Sequence, residues 1–93
     1  MTDVLQQLWA VIEDRREHPR EGSYTCSLFA KGPVEIAKKV GEEGVETAVA
    51  LLGEDDERVL YEAADLVYHL MVLLASRGLT WTQLEEQLAS RFK

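Results

Sequence analysis

Residues 58–77 read Arg58-Val59-Leu60-Tyr61-Glu62-Ala63-Ala64-Asp65-Leu66-Val67-Tyr68-His69-Leu70-Met71-Val72-Leu73-Leu74-Ala75-Ser76-Arg77. At about 100° per residue, Val59, Leu60, Ala63, Ala64, Leu66, Val67, Leu70, Met71, Leu73 and Leu74 cover more than half the circumference of a helix. A helix apolar over so wide an arc is central to a bundle rather than laid on its surface. Glu62, Asp65 and His69 nevertheless share a wedge of roughly 60° on it, because i, i+3 and i+7 lie on one face. Two carboxylates on a largely buried helix must be paired, protonated or bound to a cation. The segment therefore demands both surrounding helices and a polar partner.

The surrounding helices are legible on either side. Leu5, Leu8, Trp9 and Ile12 recur at helical spacing, with Thr2 or Asp3 placed to cap them. Pro19 and Gly22 end that helix and open a polar loop through Thr25. Cys26 to Lys31 reads as a short turn closing on Gly32. Pro33 then occupies the N1 position of a long helix running to Leu52, with Gly53 just past its end. Glu54-Asp55-Asp56-Glu57 supplies a cap and first-turn carboxylates for the helix quoted above, which closes on Gly78. Thr80-Trp81-Thr82-Gln83 fits a capping box, and Leu79 and Leu84 fit a hydrophobic staple. A last helix is expected to carry Leu84, Leu88 and Phe92.

No segment alternates as a strand, and there is no internal repeat. The expected fold is a single all-α domain over residues 1–93: a bundle of four main helices plus a short helical turn. Four helices with this much apolar area exceed what one small protomer buries, so the bundle is expected to be completed by oligomerisation, as a homodimer or a multiple of it. Trp9 and Trp81 read as core or interface anchors.

Composition narrows the function. Cys26 is the only cysteine, so no disulfide staples the chain, and a reducing cytoplasm is the expected compartment. Met1 to Glu17 mixes charged with apolar residues and does not read as a signal peptide. The run Leu70 to Ala75 is far too short to span a bilayer. The net charge of -7 argues against unassisted nucleic-acid binding. Its distribution is uneven: six basic residues stand against three acidic ones from Arg15 to Lys39, but nine acidic residues against Arg58 alone from Glu42 to Asp65. That is the pattern of two solvated faces, or of a metal site beside a polyphosphate pocket.

The helix from Pro33 offers the partner that Glu62 and Asp65 need. Its apolar stripe is Val34, Ala37, Val40, Ala48, Leu51 and Leu52, and across from it lie Glu35, Lys39, Glu42, Glu43 and Glu46. Three carboxylates within so short a stretch repel one another as a solvated face. Placed beside Glu62 and Asp65 on an adjacent antiparallel helix, they form an oxygen-rich cage suited to Mg²⁺ or Mn²⁺ rather than zinc. Lys39, with Lys38 or Lys31, can meet the charge of a polyphosphate. The chemistry implied is attack of water on a phosphoanhydride.

Glu42-Glu43-Gly44-Val45-Glu46 followed by Glu62-Ala63-Ala64-Asp65 resembles the EExxE…ExxD signature of the all-α nucleoside triphosphate pyrophosphatase (MazG-like) superfamily. Ser23-Tyr24-Thr25, Lys39-Val40-Gly41-Glu42-Glu43 and Glu62 to His69 resemble the phosphoribosyl-ATP pyrophosphohydrolase family within it. The resemblance covers most of the chain from about Ser23 onward. It implies a Mg²⁺-dependent conversion of phosphoribosyl-ATP to phosphoribosyl-AMP and pyrophosphate in histidine biosynthesis. It implies Glu43, Glu46, Glu62 and Asp65 as metal ligands, with Glu42 as a further ligand or the group that activates water, and a dimer or higher oligomer. Gly44 departs from the alanine usual in the family, and Glu35 from a common basic residue.

His69 reads either as a satisfied core histidine or as a group that orients a carboxylate or touches substrate. Ser23, Tyr24 and Thr25 read as turn residues from the sequence alone; the resemblance raises them to substrate contacts. Cys26 has no neighbouring base and is not expected to act as a nucleophile. The competing readings are a pyrophosphatase for dUTP, dCTP or a damaged nucleotide, a ferritin-like di-iron bundle, and a non-catalytic helical module. The di-iron class needs Glu-x-x-His pairs, whereas His69 follows Asp65 by four.

Overall fold

A computed structural model describes residues 3–92, and among them the only regular elements are five helices. In chain order they are α1 (Val4–Glu17), α2 (Tyr24–Lys31), α3 (Pro33–Gly53), α4 (Asp56–Ser76) and α5 (Trp81–Ala89). Their ends follow from local chemistry. The Asp3 side chain caps α1 by accepting from the Leu5 amide; Thr2, the other cap considered, lies outside the described residues. The Ser23 hydroxyl accepts from the Cys26 amide, and so the segment expected as a short turn is a full two-turn helix that starts at Tyr24.

Gly32, at φ 94° and ψ -178°, occupies backbone space essentially restricted to glycine. This lets α2 stop and α3 start on Pro33 with one residue between them. Asp55 caps α4 through the Arg58 amide. α4 ends in a Schellman arrangement, with the Leu79 amide donating to the Leu74 carbonyl and the Gly78 amide to the Ala75 carbonyl, both at 3.0 Å. The expected capping box at Thr80 and Gln83 makes both of its hydrogen bonds. α5 ends at Ala89, however, and Phe92, expected on its apolar face, lies beyond it and is exposed.

Ile12, Leu28, Ile36, Met71, Val72, Ala75 and Trp81 form the core, with Leu8, Trp9, Phe29, Val67 and Leu74 packed around it. Trp9 and Trp81 face each other with centroids 6.4 Å apart. All five helices thus contribute, but the core gathers at the first half of α3 and the second half of α4. By length and composition α4 is apolar enough to cross a bilayer. Its buried residues include Glu62 and His69 as well as Met71 and Val72, which is the content of a bundle's central helix.

The inward face of α3 is not the one its apolar stripe suggests. Val34, Ala37, Ala48, Leu51 and Leu52 are exposed, Leu52 to 86 %, and Val40 is half-buried. The residues turned against the rest of the chain are Ile36, Glu43 and Ala50, spaced by seven. A seven-residue repeat keeps one seam of a helix facing its partner along the whole length. Thr47 ties the two helices together, its Oγ1 lying between the carbonyl oxygens of Glu43 on α3 (2.7 Å) and Glu62 on α4 (3.1 Å). Leu60 of α4 is likewise 71 % exposed while Glu62 is buried.

Candidate active site

The seam between α3 and α4 changes character along its length. At the core end it is apolar; past Val40 it becomes a carboxylate cluster. Glu43 and Glu62, 4 % and 3 % exposed, enter from opposite helices. One oxygen of Glu43, one of Glu46 and one of Glu62 lie within 4.8 Å of each other, and Glu43 also shares a site of that size with Asp65 and His69. Glu43 therefore joins the two groups. Glu43 Oε2 and Glu62 Oε2 are buried without a hydrogen-bond partner among the described residues.

An unpartnered buried carboxylate oxygen carries a desolvation cost that only a proton or a cation removes. Burial, followed by the neighbouring Asp65 and Glu46 carboxylates, raises the Glu43 carboxyl from 4.5 to about 7. Burial raises Glu62 as well, opposed by the Arg58 guanidinium. All-oxygen donors from several carboxylates, two of them orphaned, fit a hard divalent cation such as Mg²⁺ or Mn²⁺.

A second layer stands behind the carboxylates. His69 Nδ1 donates to the Asp65 carbonyl oxygen at 2.7 Å and lies 3.4 Å from Asp65 Oδ1. Tyr24 Oη is 2.9 Å from His69 Nε2, and the Tyr24 and Tyr68 rings stack with centroids 6.2 Å apart. The Tyr68 hydroxyl is hydrogen-bonded to Thr25, which is buried. Lys39 is half-buried, with Nζ 3.7 Å from Glu43 Oε1. Burial works to lower the Lys39 pKa, but Tyr24 and the Glu42, Glu43 and Asp65 carboxylates together raise it.

The fold thus assembles Glu43, Glu46, Glu62, Asp65, His69, Lys39 and Tyr24 at one place. It leaves Glu42, Lys38 and Lys31 exposed and outside both carboxylate groups. Ser23 uses its hydroxyl as the α2 cap, and Thr25 uses its own on Tyr68. Cys26 ties a loop, accepting from the Arg20 amide and donating to the Arg15 carbonyl. The sequence reading assigns no role of its own to three contributors. Thr47 stands four residues after Glu43, Arg58 four before Glu62, and Tyr68 beside His69. The i, i+4 spacing was a visible signal for the first two.

The sequence profile of the phosphoribosyl-ATP pyrophosphohydrolase family matches residues 5–92. The chain is similar to a phosphoribosyl-ATP pyrophosphatase of Metallosphaera sedula, 50 % identical over 93 residues and spanning 100 % of both chains. It is 48 % identical over 91 residues to a phosphoribosyl-ATP pyrophosphatase of Ignicoccus hospitalis, covering 98 % of this chain and 89 % of that one. It is also 44 % identical over 89 residues to the histidine biosynthesis bifunctional protein HisIE of Parasynechococcus marenigrum, of which it spans 40 %.

Proposed function

The chain belongs to the phosphoribosyl-ATP pyrophosphohydrolase family, and from that premise we propose that it hydrolyses phosphoribosyl-ATP to phosphoribosyl-AMP and pyrophosphate as a step in histidine biosynthesis. The observation that carries the reading is the buried carboxylate cluster, whose two unpartnered oxygens call for a cation. Glu43, Glu46, Glu62 and Asp65 would hold Mg²⁺, with Mn²⁺ as a substitute. When bound, the metal supplies charge neutralisation at phosphate oxygens and acidifies water at the site.

The rest is the work of the chain. Lys39 Nζ stands beside Glu43 and is kept cationic by the surrounding carboxylates, placed to meet a polyphosphate. Glu46, the exposed member of the cluster, reaches solvent and can accept the proton of an attacking water. Glu42 is exposed one residue away and can act only from the rim. His69 holds the Asp65 segment through its carbonyl, and Tyr24 holds His69. Lys31 and Lys38 are kept as contacts for the outer parts of the substrate.

The functional unit is a homodimer or a multiple of one, acting in the cytoplasm on a small-molecule substrate, with no nucleic acid or membrane involved. Val45, Val49, Leu51 and Leu52 of α3 and Leu60 of α4 are all exposed on one protomer. So much exposed apolar surface on so small a chain fits burial against a second copy.

A panel of phosphoribosyl-ATP, ATP, dUTP and dCTP, assayed for pyrophosphate release with Mg²⁺, tests the function. Phosphoribosyl-ATP is expected to be cleaved far better than any canonical triphosphate, with pyrophosphate rather than single phosphate released. Equal or better turnover of dUTP or dCTP would instead make the chain a house-cleaning pyrophosphatase.

A further inference from the structure

One residue at the cluster carries the opposite charge and belongs to none of the roles above. Arg58 Nη2 lies 2.5 Å from Glu62 Oε1, one turn along α4. Its guanidinium also rests over the Tyr61 ring, with Cζ 4.7 Å from the centroid. Arg58 is half-exposed, while the Glu62 side chain is 4 % exposed. The contact therefore differs from an ordinary surface i, i+4 pair. A solvated cation reaches in and takes one oxygen of a buried carboxylate whose other oxygen has no partner among the described residues.

The physics of that contact runs two ways. A guanidinium cannot lose its charge, and at 2.5 Å its ion pair with the Glu62 carboxylate is close. Without it Glu62 would be a buried carboxylate facing Glu46 and Asp65 with no cation paired to it, a costly arrangement. A divalent ion held by Glu62 would meet the same guanidinium as a like charge at close range. Arg58 also has room to leave. It lines a groove of about 530 Å³ with Glu54, Asp55, Glu57 and Tyr61. The guanidinium already covers the Tyr61 face, and the Glu54 and Glu57 carboxylates lining the groove can receive its charge in place of Glu62.

We infer that Arg58 is a built-in counter-cation for Glu62: it neutralises the carboxylate in the metal-free protein and is displaced into the groove beside Tyr61 when metal binds. Arg58 is thus a positioning residue that sets metal affinity by exchange, and the inference rests on the metal reading of the cluster.

The test uses EDTA-stripped protein, with Mn²⁺ binding measured by calorimetry and melting followed in EDTA and in saturating Mn²⁺. Arg58→Gln should bind Mn²⁺ more tightly than wild type, by roughly tenfold, because one competing unit charge is removed. The same variant should melt lower than wild type in EDTA, and the gap should close in saturating Mn²⁺. Arg58→Lys, which keeps charge but not the planar fork, should fall between. Arg77→Gln, an exposed arginine after α4, should change neither quantity. A purely structural Arg58 would lower melting equally with and without Mn²⁺ and leave affinity unmoved, which overturns the inference. Equal or weaker Mn²⁺ binding by Arg58→Gln overturns it too, while leaving the metal reading intact. A wild type that binds no Mn²⁺ overturns both.

Discussion

The Tyr24 hydroxyl and His69 Nε2 are 2.9 Å apart, although 45 positions separate the residues in the chain. His69 Nδ1 faces the Asp65 carbonyl, which can only accept, so that nitrogen carries a hydrogen. In the neutral ring Nε2 is then the acceptor, and Tyr24 donates to it. The block around Tyr24 consequently braces a metal-ligand candidate on α4 from the first turn of α2.

Tyr24→Phe isolates this brace, because the ring still stacks on Tyr68 and only the donor is lost. We expect Mn²⁺ affinity to fall on the order of tenfold, the scale seen when a partner behind a metal ligand is removed. Unchanged affinity in a titration of the folded variant would reduce Tyr24 to packing.

The Glu43 carboxyl, raised from 4.5 to about 7, gives metal-free protein a defined pH dependence. The folded state holds the proton more tightly than the unfolded chain does. The favourable contribution is therefore complete below about pH 4.5 and lost as pH rises through about 7. Melts in EDTA should show wild type losing stability over that window relative to Glu43→Gln. A pH-independent difference between the two proteins would contradict the raised carboxyl. Apparent Mg²⁺ affinity should also weaken below about pH 7, since proton and metal compete for the same oxygens.

Asp65→Asn separates a metal site from a structural ion cluster. It removes one like charge beside Glu43 and nearly preserves shape, so in EDTA the variant should melt at or above the wild-type temperature. Wild type should gain about 2.7 kcal/mol at a hundredfold excess of Mg²⁺ over its dissociation constant, and the variant much less. Catalysis should be almost abolished. Destabilisation in EDTA together with an undiminished Mg²⁺ response would assign Asp65 to structure.

Val49→Lys probes the assembly, since Val49 is 58 % exposed on the single chain. A lysine there is harmless to a monomer but buries a charge in an interface. Sedimentation should show wild type as a dimer or a multiple of it at micromolar concentration, and the variant shifted toward monomer. A wild type that sediments as a fully active monomer would refute the assembly.

The elements that the chain announces locally are those whose determinants lie within a turn of each other. Asp55 before α4, the Thr80–Gln83 box and Gly78 all act on backbone groups three residues away, and Pro33 acts through its own fixed φ at N1. The shared wedge of Glu62, Asp65 and His69 is likewise a property of one helix, visible before any packing. At Ser23 the cap signal was present but short, and only the completed bond to Cys26 distinguishes a two-turn helix from a turn. At the other end, nothing local compels α5 past Ala89, because terminal turns make few bonds and Phe92 finds no surface to pack on.

The facing of α3 was a tertiary decision. Its apolar stripe is the wider one, and hydrophobicity alone would turn that stripe inward. The chain instead turns Ile36, Glu43 and Ala50 toward α4, bringing carboxylates from both helices onto one seam and leaving Val45, Val49 and Leu52 outside. Which face of an amphipathic helix is buried depends on the partner it meets, and a single helix's sequence does not contain its partner's surface. The same reason hides Thr47 and Tyr68, each acting through an atom that only the packed pair of α3 and α4, or of α2 and α4, brings within bonding distance. Arg58 meets Glu62 within α4 itself, and what packing decides is that this carboxylate is buried.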